Sequence, residues 1–115
     1  MRRTFVNEFC ATLPGAQHSD PWGGGHDAWK VGGKLFAVVG ATDDAVSVKC
    51  RDTETAQLLI ELGRAERAPY LHRSWVRIPL GARCTIEQDE LAERLSTSYR
   101  LIRAALPKKV QSKLA

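Results

Sequence analysis

Residues 28–39 read Ala28-Trp29-Lys30-Val31-Gly32-Gly33-Lys34-Leu35-Phe36-Ala37-Val38-Val39. Two apolar runs separated by two glycines form a strong hairpin signal. Both positions of a tight two-residue turn need positive φ, which glycine adopts without steric cost. The runs Ala28–Val31 and Lys34–Val39 are therefore predicted to pair as antiparallel strands. Leu35 to Val39 is apolar on both faces, which predicts a central, buried strand.

Downstream, a turn over Gly40–Asp44 leads to Ala45–Cys50, where Val46, Val48 and Cys50 alternate with Ser47 and Lys49. That alternation predicts one buried and one wet side. Asp52 has the chemistry of a helix N-cap, with Glu54 in the first turn to suit the helix dipole. The helix it starts carries Ala56, Leu59 and Ile60 and stops at Gly63. Residues 64–73 are predicted irregular or partly an edge strand. Ser74–Pro79 reads as another strand, with Val76 and Ile78 on one face and Trp75 and Arg77 on the other. Thr85 and Gln88 fit a capping box. Leu91, Leu95, Tyr99, Ile102 and Leu106 then mark a long helix ended by Pro107, with Lys108 and Lys109 at its C-terminus and a frayed tail from Val110.

Upstream, Phe5, Phe9 and Leu13, with Val6 and Cys10, form one face of a helix over about 3–13, closed by Pro14-Gly15. Residues 16–27 are predicted as a loop. The predicted order is α-β-β-β-α-β-α. This gives an α+β two-layer sandwich, an antiparallel sheet covered on one face by helices, built as a single domain over residues 1–115.

The chain has 115 residues, 43% hydrophobic and 26% charged, which is ordinary for a globular protein. No apolar run reaches the roughly 18 residues of a membrane span, and Asn7 and Glu8 interrupt any leader after Arg2-Arg3. A cytoplasmic monomer is the expectation. Three cysteines, Cys10, Cys50 and Cys84, are too few and too far apart for a disulfide framework or a zinc ribbon. Cys10 and Cys50 fall on apolar faces and read as small core residues. The net charge of +4 is polarised, with Arg64, Arg67, Arg73, Arg77 and Arg83 set against Glu66 alone.

Several segments together resemble one family. They are Leu13-Pro14-Gly15-Ala16, Trp22-Gly23, the run from Lys30 to Ala37, Ser47-Val48-Lys49-Cys50, Pro69-Tyr70 with Trp75-Val76, and Ser98-Tyr99 leading to Leu106-Pro107-Lys108. In this order they resemble the MmcQ/YjbR family across nearly the whole chain. The resemblance implies a frataxin-like (CyaY-like) sandwich, a bacterial source and a DNA-binding label. The chain departs from the family pattern at Ser74, where many relatives carry histidine before the tryptophan, so no role of that histidine transfers. The first helix holds a single acid, Glu8, and offers no acidic ridge for iron of the frataxin type.

No catalytic constellation is legible, so a non-enzymatic binding module without a cofactor is expected. The leading candidate is the uncovered sheet face. Alternation puts Trp75 and Arg77 there with Lys49 and Lys30, and Arg73 follows close by. Cations track phosphates through counterion release, and an indole can stack on an unpaired base. The expected partner is DNA, with a protein or peptide as the alternative. The plain alternative is that Trp75 packs under residues 64–73 and the cations form a solvated face. Trp22, Tyr70 and His72 are candidates to line a pocket beside the sheet. His18, Asp20, His26 and Asp27 offer imidazoles and carboxylates for a metal-dependent enzyme or, with a serine, a triad, but their glycine-rich spacing fixes no geometry. A solvated turn is the plainer reading. Gly23–Gly25 follows no strand and lacks a G-K-[ST] ending, so it is no phosphate loop.

Overall fold

The structure, a computed structural model, describes residues 2–41 and 44–114. Thr42 and Asp43, in the predicted turn over Gly40–Asp44, lie outside the described residues. The chain runs α1 (Arg2–Ala11), β1 (Ala16–Ser19), β2 (Asp27–Val31), β3 (Lys34–Val39), β4 (Ala45–Lys49), α2 (Thr53–Glu61), β5 (Glu66–Arg67), β6 (Trp75–Pro79), α3 (Gln88–Ala104) and α4 (Lys108–Gln111). The strands form one antiparallel sheet in the order β1-β2-β3-β4-β6-β5. α3 crosses β2, β3 and β4, α1 packs on β1 and α3, and α2 packs on β5 and β6. The α+β sandwich and the order of its main elements are as the sequence predicts.

The glycine hairpin forms as read. Val31 pairs with Lys34, and Gly32 and Gly33 take φ of 57° and 82°. The register then slips. Trp29 faces Ala37, but Lys30 faces Leu35, leaving Phe36 as one residue too many on β3. Such a bulge turns two successive side chains to one side. Phe36 meets Tyr99 of α3 edge-on at 5.4 Å, and its neighbour Ala37 joins the same core. Leu35 and Val38 are turned to the uncovered face instead. This is why an all-apolar strand need not be buried on both sides.

β3 and β4 pair as far as Ala37 and Val48, and beyond them Ser98 bridges the two strands. Its hydroxyl donates to Phe36 O at 2.6 Å and accepts from Lys49 N at 2.9 Å. Ser98 is fully buried, so both backbone groups would otherwise lack partners. The core around it holds Val6, Val31, Val39, Val46, Val48, Val76, Ile78, Leu91 and Leu95. Cys10 lies in it, and burial pushes its thiol up to about 12. Burial also raises Cys50. All three cysteines are free.

Four expectations are corrected. Residues 16–19, predicted as loop, form β1, because the turn after α1 presents them to the free edge of β2, where Gln17 pairs with Lys30 and His18 with Trp29. Thr85 does not cap α3. Its hydroxyl donates to Gly63 O at 3.0 Å, and the helix starts after Glu87 without a side-chain cap. Lys108 and Lys109 open α4 rather than close α3. The tail from Val110 is ordered by packing, since Leu114 lies on the core. Cβ atoms placed on Gly15 and Gly32 would meet Leu114 and Leu106 at 2.6 and 2.5 Å. The two glycines leave room for the C-terminal segment.

Candidate functional site

Strand register assigns the candidates to the sheet face away from α3. Lys49 pairs with Trp75, and Ser47 with Arg77. Arg77 pairs in turn with Glu66, and Lys30 with Leu35. The candidates therefore share a face, but several are already engaged. Arg77 Nη1 donates to Glu66 Oε1 at 2.5 Å, and Arg83 Nη1 donates to Glu66 Oε2 at 2.5 Å. One carboxylate thus offsets charge from two guanidiniums. Lys49 Nζ donates to Ser74 Oγ at 2.7 Å. His72 is drawn into that same cluster, where its Nδ1 meets the Ser74 hydroxyl at 2.9 Å and the Ser74 N–H at 3.1 Å. It does not line the pocket predicted for it.

Trp22 and Tyr70 do come together around a concavity of about 420 Å³. Its floor is Leu35, Val38, Ala45 and Ser47, with Arg77. One rim is Trp22 and His26; the other is Pro69, Tyr70 and Leu71. Trp22 is 63% exposed and Tyr70 wholly so. Tyr70 has φ of 67°, the left-handed region, and no other non-glycine described does so. That conformation costs roughly 1–2 kcal/mol for a residue with a Cβ. Alternation already places Ser47 outward; the apolar part of the floor is missed because Leu35 and Val38 belong to a run that reads as buried on both faces. Only the bulge after Trp29 turns Leu35 and Val38 outward.

The Trp22 rim is built from residues considered as metal ligands. Asp20 accepts the N–H groups of Gly25 and His26 at 2.9 and 3.0 Å, closing a loop whose glycines all take positive φ. His26 Nδ1 lies 3.0 Å from Gly23 O, and the Trp22 ring meets it edge-on at 5.1 Å. Asp27 faces α1 instead. It accepts from Arg3 Nε at 2.8 Å and Asn7 Nδ2 at 3.1 Å, and lies 2.6 Å from His18 Nε2. Arg3 Nη2 also donates to Gly25 O at 2.6 Å, so the clamp anchors the loop. Burial pushes the Asp27 carboxyl up, but hydrogen bonds from His18, Asn7 and Arg3, with the charge of Arg3, outweigh it and hold the group at about 2. His18–Asp27 and His26–Asp20 are thus two separate pairs. Among the described residues, no group of three potential ligands converges for a metal.

Trp75 is half-buried and looks into a second cleft, of about 530 Å³, between α2 and the β5–β6 segment. Thr53, Glu54, Gln57, Ile60 and Glu61 line the helix side, and Arg67, Leu71 and Arg73 the other. The structure therefore divides the predicted site in two. Trp22, Tyr70 and Arg77 belong to the groove on the sheet, while Arg73 and Trp75 belong to the cleft beside α2. No described helix is long and apolar enough to cross a membrane.

Comparison with known proteins bears on the fold and the lineage. The family model YjbR matches residues 11–101. A crystal structure of the Deinococcus radiodurans protein DR2400, of domain family DUF419, superposes with a TM-score of 0.83 at 21% identity. The match covers 96% of this chain and 86% of that one. No curated protein matches.

Proposed function

The chain belongs to the YjbR family, and from that premise we propose that it is a non-enzymatic binding module that takes an apolar or aromatic side chain of a partner protein into the groove between Trp22 and Tyr70. The observation that carries this reading is Tyr70. Its ring is entirely exposed, on a backbone conformation that disfavours any side chain, beside an apolar floor. Local strain with no packing return is a mark of a recognition site. The groove volume and its largely apolar lining suit a side chain or a small ring system. The polar groups at hand are the Ser47 hydroxyl and the Arg77 guanidinium.

DNA on the same face is the weaker reading. Counterion release needs cations open to phosphate. Glu66 meets Arg77, Ser74 meets Lys49, and Glu54 and Glu61 share the cleft with Arg67 and Arg73. Both readings meet one test. Isotope-labelled protein is titrated at low salt with N-acetyl-tryptophanamide and, separately, with a short oligothymidylate. Amide shifts at Leu35, Val38, Ser47 and Leu71 with the tryptophan amide, lost in Tyr70→Gly, support the proposal. Shifts with the oligonucleotide alone, diminished in Arg73→Ala, would favour DNA and overturn it. Silence from both overturns the groove as a binding site.

A further inference from the structure

The cleft beside α2 has two walls of opposite charge. Glu54 and Glu61 stand on the helix, and Arg67 and Arg73 on the β5–β6 side. Elsewhere on this surface acids and bases close on one another, as in Arg64–Glu90, Arg77–Glu66 and Arg94–Glu90. Among the described residues, none of the four cleft charges forms an ion pair. The cleft holds its opposite charges apart. Exposed apolar side chains lie in and beside it. Leu58 on the helix wall is 53% exposed and Leu62, the C-cap residue outside the lining, is 60% exposed, and the cleft interior adds Ile60, Leu71 and the Trp75 indole.

We propose that a second copy of this chain covers the cleft, forming a two-fold dimer in which the acidic wall of each protomer faces the basic wall of the other. A two-fold contact uses the same patch twice and therefore needs a self-complementary surface. A surface with one acidic and one basic wall and exposed apolar side chains in and beside them has that property. A nucleic acid would meet two carboxylates, and an acidic or a basic peptide would satisfy one wall and be repelled by the other. The proposal is independent of the groove between Trp22 and Tyr70, and it replaces the monomer expected from the sequence.

The test rests on charge reversal and mixing. Sedimentation equilibrium of the wild-type chain is expected to show a reversible dimer that weakens as salt rises, because exposed charges are screened. Leu58→Asp with Leu62→Asp, both on exposed positions, leaves the circular dichroism unchanged and gives a monomer. Arg67→Glu with Arg73→Glu makes both walls acidic; Glu54→Arg with Glu61→Arg makes both basic. Each charge variant alone dimerises at least about tenfold more weakly. Mixed one to one, they form a heterodimer at wild-type strength or better. A wild-type chain that stays monomeric at millimolar concentration overturns the proposal, including the case in which the cleft serves a different protein. So does a dimer indifferent to the leucine substitutions, or a mixture that does not associate.

Discussion

Ser98 stands where the sheet would otherwise be broken. Replacing it with alanine leaves Phe36 O and Lys49 N buried without partners, each a cost of about 1–3 kcal/mol. Ser98→Ala should therefore lower stability in urea by about 2–6 kcal/mol, at unchanged slope, although it removes a single oxygen. Asp27 gives a different signature. Its folded value of about 2 lies below the ordinary carboxylate range. The stability it contributes is therefore present above about pH 4 and is lost as pH falls toward 2. Asp27→Asn should remove that part of the acid limb, so the thermal midpoints of variant and wild type converge as pH falls. Tyr70 reverses the usual expectation for an aromatic residue. Tyr70→Gly relieves a left-handed residue but frees the unfolded chain. Its folding stability should stay within about 1 kcal/mol of wild type while binding in the groove is lost.

Among the elements, the glycine hairpin is legible because its signal is local. Two adjacent glycines between apolar runs need no tertiary information. Asp52 is legible for the same reason, and its side chain accepts from Thr55 N at 2.7 Å as a cap does. Thr85 misleads because a capping box needs only the right spacing, while the helix starts two residues later, after Glu87, and the Thr85 hydroxyl is turned to Gly63 O across the chain. β1 is hidden because Ala16-Gln17-His18-Ser19 has no strand character of its own; the free edge of β2 confers it. α4 is hidden because its partners are absences of side chains. Gly32→Ala would drive a Cβ into Leu106 and Val110, at 2.5 and 3.1 Å, at a φ of 57°. It should cost more than about 1 kcal/mol. Gly33→Ala has open space around its Cβ and only the φ to bear, so the difference between the two melting temperatures measures the hold of the C-terminal segment.

For the whole molecule, the composition and order of elements are enough to read one sheet with helices on it. The candidate site is legible only as a face. Alternation places Lys49, Trp75 and Arg77 outward, yet it cannot show that Glu66 and Ser74 occupy two of them. Nor can it show that the segment 68–71, with Leu71 lining both, separates a groove from a cleft. Those facts depend on contacts between residues far apart in sequence. The groove owes its apolar floor to one surplus residue in β3.

The serine bridge beneath that floor ties the two layers in time as well as in space. A strand pair closed by backbone groups alone can open at its edge without disturbing the helices. Here the third partner comes from the middle of α3, so β3 and β4 cannot reach full pairing before the helix has docked, nor can the helix leave without opening the sheet. In hydrogen–deuterium exchange the Lys49 amide should behave as a reporter of global opening, exchanging with the slowest amides of α3 and speeding up with them in denaturant.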